Sequence, residues 1–150
     1  MSTIQRIIVA TDFSELADTV IDQALDLAKQ LGASLTLVHC YEIPIYGFPD
    51  GILVAPADIA ARIGIASQAQ LDSLAKTHAD RGVPLTTVLR NGPAWDEVNA
   101  VAEEQKADLI VVGTHGRRGL ARALLGSTAE RILRTAKLPV YVVHAAKPAK

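Results

Sequence analysis

Three glycines and the two hydroxyl residues after the last of them stand out as a place where chemistry could occur. Gly113, Gly116 and Gly126 are followed directly by Ser127 and Thr128. Glycine has no Cβ, so the backbone there can turn sharply and come close to a ligand. Ser and Thr open helices well, and a helix N-terminus presents N–H groups that have no partner inside the helix and can donate to an anion. Arg117, Arg118 and Arg122 lie between the glycines, and Glu130 is the only acid from Gly113 to Pro139. A chain of net charge −1 thus gathers positive charge at one place. An apolar strand from Leu109 to Val112, a glycine loop, a helix mouth and local arginines together make what a phosphate site needs. The same succession also occurs as a plain turn between a strand and a helix. It is not a P-loop, because no lysine follows Gly126. Nor is it the dinucleotide fingerprint, because Gly113, Gly116 and Gly119 are evenly spaced.

Other residues could complete such a site. Asp12 follows the first apolar strand and could meet a ribose hydroxyl, an adenine amino group or a metal on the phosphates; equally, it could bond the local backbone or cap a helix. Thr11 could offer its hydroxyl or its N–H to a phosphate, or be a β-branched strand end. His115 could touch phosphate or simply hold the loop. Arg117 and Arg118 could do the same or stay solvated, with salt weakening their pull. His39, His78 and His144 show no metal-binding spacing, and a single cysteine, Cys40, makes a structural zinc site unexpected. No general base stands against a nucleophile in any pattern the sequence reveals.

Alternating elements must position these residues. Apolar runs at Ile4–Ala10, Ser34–Cys40, Leu85–Leu89, Leu109–Val112 and Val140–His144 predict five strands. Ser14 is the expected N-cap of the first helix, whose stripe is Ala17, Val20, Ile21, Ala24, Ala28 and Leu31, with Gly32 as its stop. A second helix from about Asp58 to Ala79 has a weaker stripe of Ile59, Ile63, Ala66, Ala69/Gln70, Leu74 and Thr77. Pro93 suits the first turn of a third, which buries Trp95, Val98 and Val101/Ala102. The fourth opens near Ser127 and carries Ala129, Ile132, Leu133 and Ala136. Tyr41 to Ala57 reads as the longest irregular stretch; its apolar residues could cover a ligand or a partner, or tuck onto the chain's own core. Residues 145–150 read as a frayed tail.

This alternation predicts an α/β fold, a single open, doubly wound, mainly parallel, Rossmann-like sheet with helices on both faces, in one domain spanning 1–150. Ligands of such sheets sit beyond the carboxyl ends of the strands, where the strand order reverses. Near-zero net charge argues against a nucleic-acid binder. One cysteine excludes an internal disulfide and fits a reducing compartment. No apolar stretch approaches a membrane span or a signal peptide, so a cytoplasmic protein is the expectation. Val140–Val143 is apolar and would lie at a sheet edge, where pairing with a second copy would make a homodimer.

The spacing Gly113-x2-Gly116-x9-Gly126-Ser127 resembles the nucleotide-binding signature of the universal stress protein family. Ile7-Ile8-Val9-Ala10-Thr11-Asp12-Phe13-Ser14 is similar to the family's opening strand and turn, and Leu138-Pro139-Val140-Tyr141-Val142-Val143 to its closing strand. The resemblance spans the whole chain except Tyr41–Ala57. It implies the strand order 3-2-1-4-5, which makes strands one and four neighbours. It also implies ATP, with Mg or Mn on its phosphates, held by Ala10, Thr11, Asp12, Gly113, His115, Gly116, Arg117, Gly126, Ser127 and Thr128. Cys40 matches the family position whose backbone meets the adenine edge. A stress-response switch or scaffold with an unidentified protein partner follows from the same resemblance, and Ser127 and Thr128 become candidate phosphoacceptors. Two other readings remain: an ATPase or adenylate-using enzyme on the same fold, and a structural dimer whose glycine loop is empty.

Overall fold

The computed structural model describes residues 3–114 and 125–144. His115, Gly116, Arg117, Arg118, Arg122 and the expected tail 145–150 lie outside the described residues. In chain order the elements are β1 (Arg6–Ala10), α1 (Ala17–Leu31), β2 (Ser34–Tyr41), β3 (Ile45–Phe48), β4 (Gly51–Val54), α2 (Ala57–Thr77), β5 (Leu85–Asn91), α3 (Ala94–Glu104), β6 (Leu109–Gly113), α4 (Ser127–Thr135) and β7 (Val140–Val143). Five of the strands form one sheet in the order β5-β2-β1-β6-β7, and every neighbouring pair is parallel. With β3 and β4 set aside, this is the order 3-2-1-4-5.

Alternation along each strand divides the core into two layers. Ile7, Val9, Leu35, Leu37, Leu109 and Val111 face α1 and α2, where they meet Val20, Ile21, Leu25 and Leu71. Ile8, Val38, Ile110 and Val112 point the other way, onto Val98 and Val101 of α3 and Ala129 and Ile132 of α4. Each of the valines, leucines and isoleucines among them, taken fully out of water, contributes roughly 1.5–3 kcal/mol. The sheet is thus buried on both faces, as a parallel sheet must be.

Three expectations need correction. Tyr41–Ala57 is not irregular: it contains an antiparallel hairpin in which Ile45–Phe48 pairs with Gly51–Val54 around Pro49-Asp50. Ser14 is not the N-cap of α1. The helix starts at Ala17 behind Leu16, without a side-chain cap. Ser14 belongs to a preceding turn, where its N–H donates to Asp12 Oδ1 (2.9 Å) and its carbonyl accepts from Ala17 N–H (3.0 Å). The stripe on α2 has the right period but is one residue out of phase over most of its length, although Ile63 and Leu74 are half-buried as expected. Its inward face runs through Gly64, Ser67, Leu71, Leu74, Ala75 and the flanking His78, whereas Ile59, Ala66, Ala69, Gln70 and Thr77 are exposed. Alanines and isoleucines fall on all sides of this helix, so apolarity alone gives little contrast. Small residues mark the true face instead. A Cβ on Gly64 would come within 3.0 Å of the Tyr41 hydroxyl oxygen, so glycine there lets Tyr41 lie against the helix.

Asp108, just before β6, ties the starts of β1 and β6 together. Its Oδ2 accepts from the N–H groups of Gln5 (2.9 Å) and Arg6 (3.0 Å), while its own N–H donates to the Arg6 carbonyl (2.8 Å). The bonds from Gln5 and Arg6 hold the Asp108 carboxyl below the usual carboxylate range. A depressed folded-state pKa stabilises the fold above the unfolded value and loses that contribution as pH falls through the folded one. The expected result is that Asp108→Asn costs stability at neutral pH and that the penalty shrinks toward zero in strong acid. Urea titrations of both proteins from neutral pH to about pH 2 measure it; a penalty unchanged over that whole range would remove this role.

Candidate functional site

The strand order reverses between β1 and β6, so their carboxyl ends diverge into separate connections and leave a crevice. Ala10 closes β1 and pairs with Val38. Thr11 follows, buried, with its N–H donating to the Val38 carbonyl (2.9 Å). That N–H is therefore engaged within the chain, and the Thr11 hydroxyl is its remaining donor. The hydroxyl oxygen also accepts a long bond from Phe13 N–H (3.4 Å). Asp12 Oδ1 accepts from Ser14 N–H (2.9 Å), so its local role is realised.

Two residues that the sequence reading left without a role hold this turn in shape. His39, buried in β2, places Nδ1 2.8 Å from the Thr11 carbonyl. The carbonyl can only accept, which puts the proton on Nδ1. Phe13 adopts φ 59°, a left-handed backbone unusual for a residue with a Cβ, and its ring stacks on His39 with centroids 3.9 Å apart. The stack and the aspartate turn together fix a conformation that an aromatic residue would otherwise avoid. Neither role carries a signal in the sequence: both depend on a pairing across two strands.

Across the crevice, Gly113 ends β6 and pairs with Val143 of β7. Thr114 N–H donates to the Val143 carbonyl (3.0 Å), and the Thr114 carbonyl accepts from Gly126 N–H (2.7 Å). These two bonds bring the mouth of α4 to the ends of β6 and β7. Gly126 is the N-cap of α4, with φ −62° and ψ 156°, and provides no side-chain cap. Ser127 and Thr128 open the helix and are exposed. The Gly126 N–H is thus engaged, contrary to its expected use on a ligand; the first-turn N–H groups from Ser127 onward are the donors this mouth offers. The backbone angles of Gly126 suit any residue, so conformation does not demand glycine there. Thr114 is a further polar group at this spot: its side-chain oxygen is buried and finds no partner among the described residues.

Cys40 lies near the end of β2, opposite Arg90 of β5. Burial, and secondarily the Glu97 carboxylate, pushes its thiol up to about 12. It therefore stays protonated at neutral pH and is no nucleophile, which leaves packing and its backbone as its contributions.

The structure thus gathers Ala10, Thr11, Asp12, Gly113, Gly126, Ser127 and Thr128 around the ends of neighbouring strands and one helix mouth, with Cys40 one strand away. The family model described as the universal stress protein family matches residues 3–144. The chain belongs to the universal stress protein family. It is 34% identical to universal stress protein MJ0531 of Methanocaldococcus jannaschii over 97% of this chain and 84% of that one. It is 35% identical to universal stress protein A homolog 1 of Coxiella burnetii over 93% of this chain and 95% of that one. Among solved structures, a universal stress protein in complex with cAMP aligns with a TM-score of 0.71 and 27% identity, covering 97% of this chain and 100% of that one.

Within this universal stress protein, the described residues include no group of three or more His, Cys, Asp or Glu side chains able to hold a metal ion. No helix among the described residues is long and apolar enough to cross a membrane.

Proposed function

We propose that this universal stress protein holds ATP, with Mg or Mn on its phosphates, and acts as a nucleotide-dependent switch or scaffold in the stress response, with slow hydrolysis at most. The observation that carries this reading is the Gly126–Thr114 bond, which sets a helix mouth without a side-chain cap at the ends of β6 and β7, with β1 the next strand in the sheet. In this reading the phosphates accept from the N–H groups that follow Gly126 and from the hydroxyls of Ser127, Thr128, Thr11 and Thr114. His115, Gly116 and Arg117 are further candidate contacts by the family signature, and the backbone of Ala10 and Cys40 is assigned to the base. The solved relative in complex with cAMP supports an adenine nucleotide as the ligand class. Slow hydrolysis follows from chemistry: the described residues offer neither a catalytic lysine at the helix mouth nor a base placed for an attacking water. Such a role belongs in the cytoplasm, where ATP is plentiful, and requires a protein partner that reads the nucleotide state.

β7 is the terminal strand of the sheet, and Tyr141 on it is exposed. An apolar edge strand is a template for pairing, and antiparallel pairing with a second copy around a twofold axis would satisfy both edges. We assign the homodimer contact to Val140–Val143 on this ground.

The direct test of the nucleotide is mass spectrometry of the ligand released from natively purified protein. Release of ATP, alone or with ADP, is the expected result. Protein free of nucleotide that also shows no calorimetric binding at about 1 mM Mg-ATP would end this reading.

A further inference from the structure

The hairpin β3–β4 has no polar face. Residues opposite one another in an antiparallel pair share a face. Ile45 and Ile52 lie on one, and Tyr46, Phe48 and Leu53 on the other. The chain itself covers neither: these five side chains are 65, 74, 57, 58 and 58% exposed in that order. A two-stranded hairpin is at best marginally stable alone in water, and one with two wet apolar faces is less so. At about 200 Å² for a large side chain fully bared, the five together expose roughly 600 Å² of apolar surface. That reaches the top of the range for a patch on a monomer and approaches the roughly 800 Å² that each partner buries in a stable complex.

The neighbouring helix leaves two more isoleucines uncovered, Ile59 and Ile65 of α2, 44 and 71% exposed on either side of Arg62. We propose that the hairpin is an arm that docks reciprocally on a second copy of this chain. One of its faces meets the partner copy's hairpin, and the other meets the outer surface of that copy's α2 around Ile59 and Ile65. Two apolar faces require two covers, and a second copy brings both. Charge separates this occupant from a lipid surface. From Tyr41 to Ile65 the chain has three acids, Glu42, Asp50 and Asp58, against one base, Arg62. Asp50 sits at the hairpin tip, where an anionic membrane would repel it. The contact is distinct from the β7 edge and stands independently of the nucleotide.

Sedimentation velocity at about 10–100 μM reads the outcome. The wild type should sediment heavier than a dimer, held by both contacts. The Phe48→Ser/Ile52→Glu double variant should fall to a dimer, and Ile65→Glu should weaken the hairpin-dependent association about tenfold or more. Tyr141→Lys, on β7, should leave that association in place, and combining it with the hairpin changes should give a monomer. Far-UV circular dichroism should be unchanged throughout, since none of these side chains is buried in the core; if the double variant fails to fold, Ile65→Glu decides the matter. A hairpin variant as heavy as the wild type would overturn the proposal. So would association abolished by Tyr141→Lys alone, or a wild type that stays monomeric and floats with anionic vesicles.

Discussion

The Gly126→Val variant is expected to bind Mg-ATP two to four decades more weakly than the wild type while keeping its fold. The backbone of Gly126 already lies in an extended conformation open to valine, so the substitution introduces no backbone strain. Valine is a poorer N-cap than glycine, and the loss on that account is about 1 kcal/mol or less. The binding loss is larger because the added side chain would stand at the mouth of α4, between an approaching phosphate and the N–H groups of Ser127 and Thr128. Charge-assisted bonds of this kind contribute about 1.5–3 kcal/mol each, and losing two costs about 3–6 kcal/mol. Calorimetric titration with Mg-ATP measures the affinity, and circular dichroism controls for the fold. Equal affinity of variant and wild type would move the phosphates away from α4.

The second large effect concerns the fold that carries this site. Leu71→Ala is expected to cost about 2–5 kcal/mol, the range for removing a leucine from a packed core. Leu71 has no exposed surface and packs in the layer between the sheet and helices α1 and α2. Leu74, one turn on and only partly buried, should cost distinctly less on the same change. Chemical denaturation of both variants gives the comparison. A smaller loss at position 71 than at 74 would mean that α2 is rotated from the orientation described.

That pair of residues also shows how far the sequence could be read. The parallel α/β sheet was legible because each strand is a short apolar run followed by helical spacing, and sequence alternation maps directly onto such a sheet. Helix α1 was legible for the same reason: aspartates lie on one side and aliphatic residues on the other. On α2 the inward face is built from Gly64, Ser67 and Ala75 as much as from leucine, and small residues that permit close approach look polar or neutral in a list of hydrophobicities. The β3–β4 hairpin escaped because Gly47 and Gly51, residues that usually signal turns, lie within its strands, and both strands are short and apolar without alternation. At the site, the glycines and the helix mouth are visible in one stretch of sequence. The clamp on Thr11 by His39, the Phe13 stack and the engaged Gly126 N–H are products of cross-strand geometry, and no local pattern encodes them.

The clasp at Asp108 has a consequence for how the chain is made. β1 pairs with β2 on one side and with β6 on the other, and the bond from Gln5 to Asp108 joins residues 103 positions apart. A ribosome adds about 5–20 residues each second, so the second edge of β1 waits roughly 5–20 s for its partner during synthesis. Through that interval the most central strand of the finished sheet is an open edge of Ile7, Ile8 and Val9. Nascent chains of this protein should therefore depend on chaperone shelter for the first strand they make.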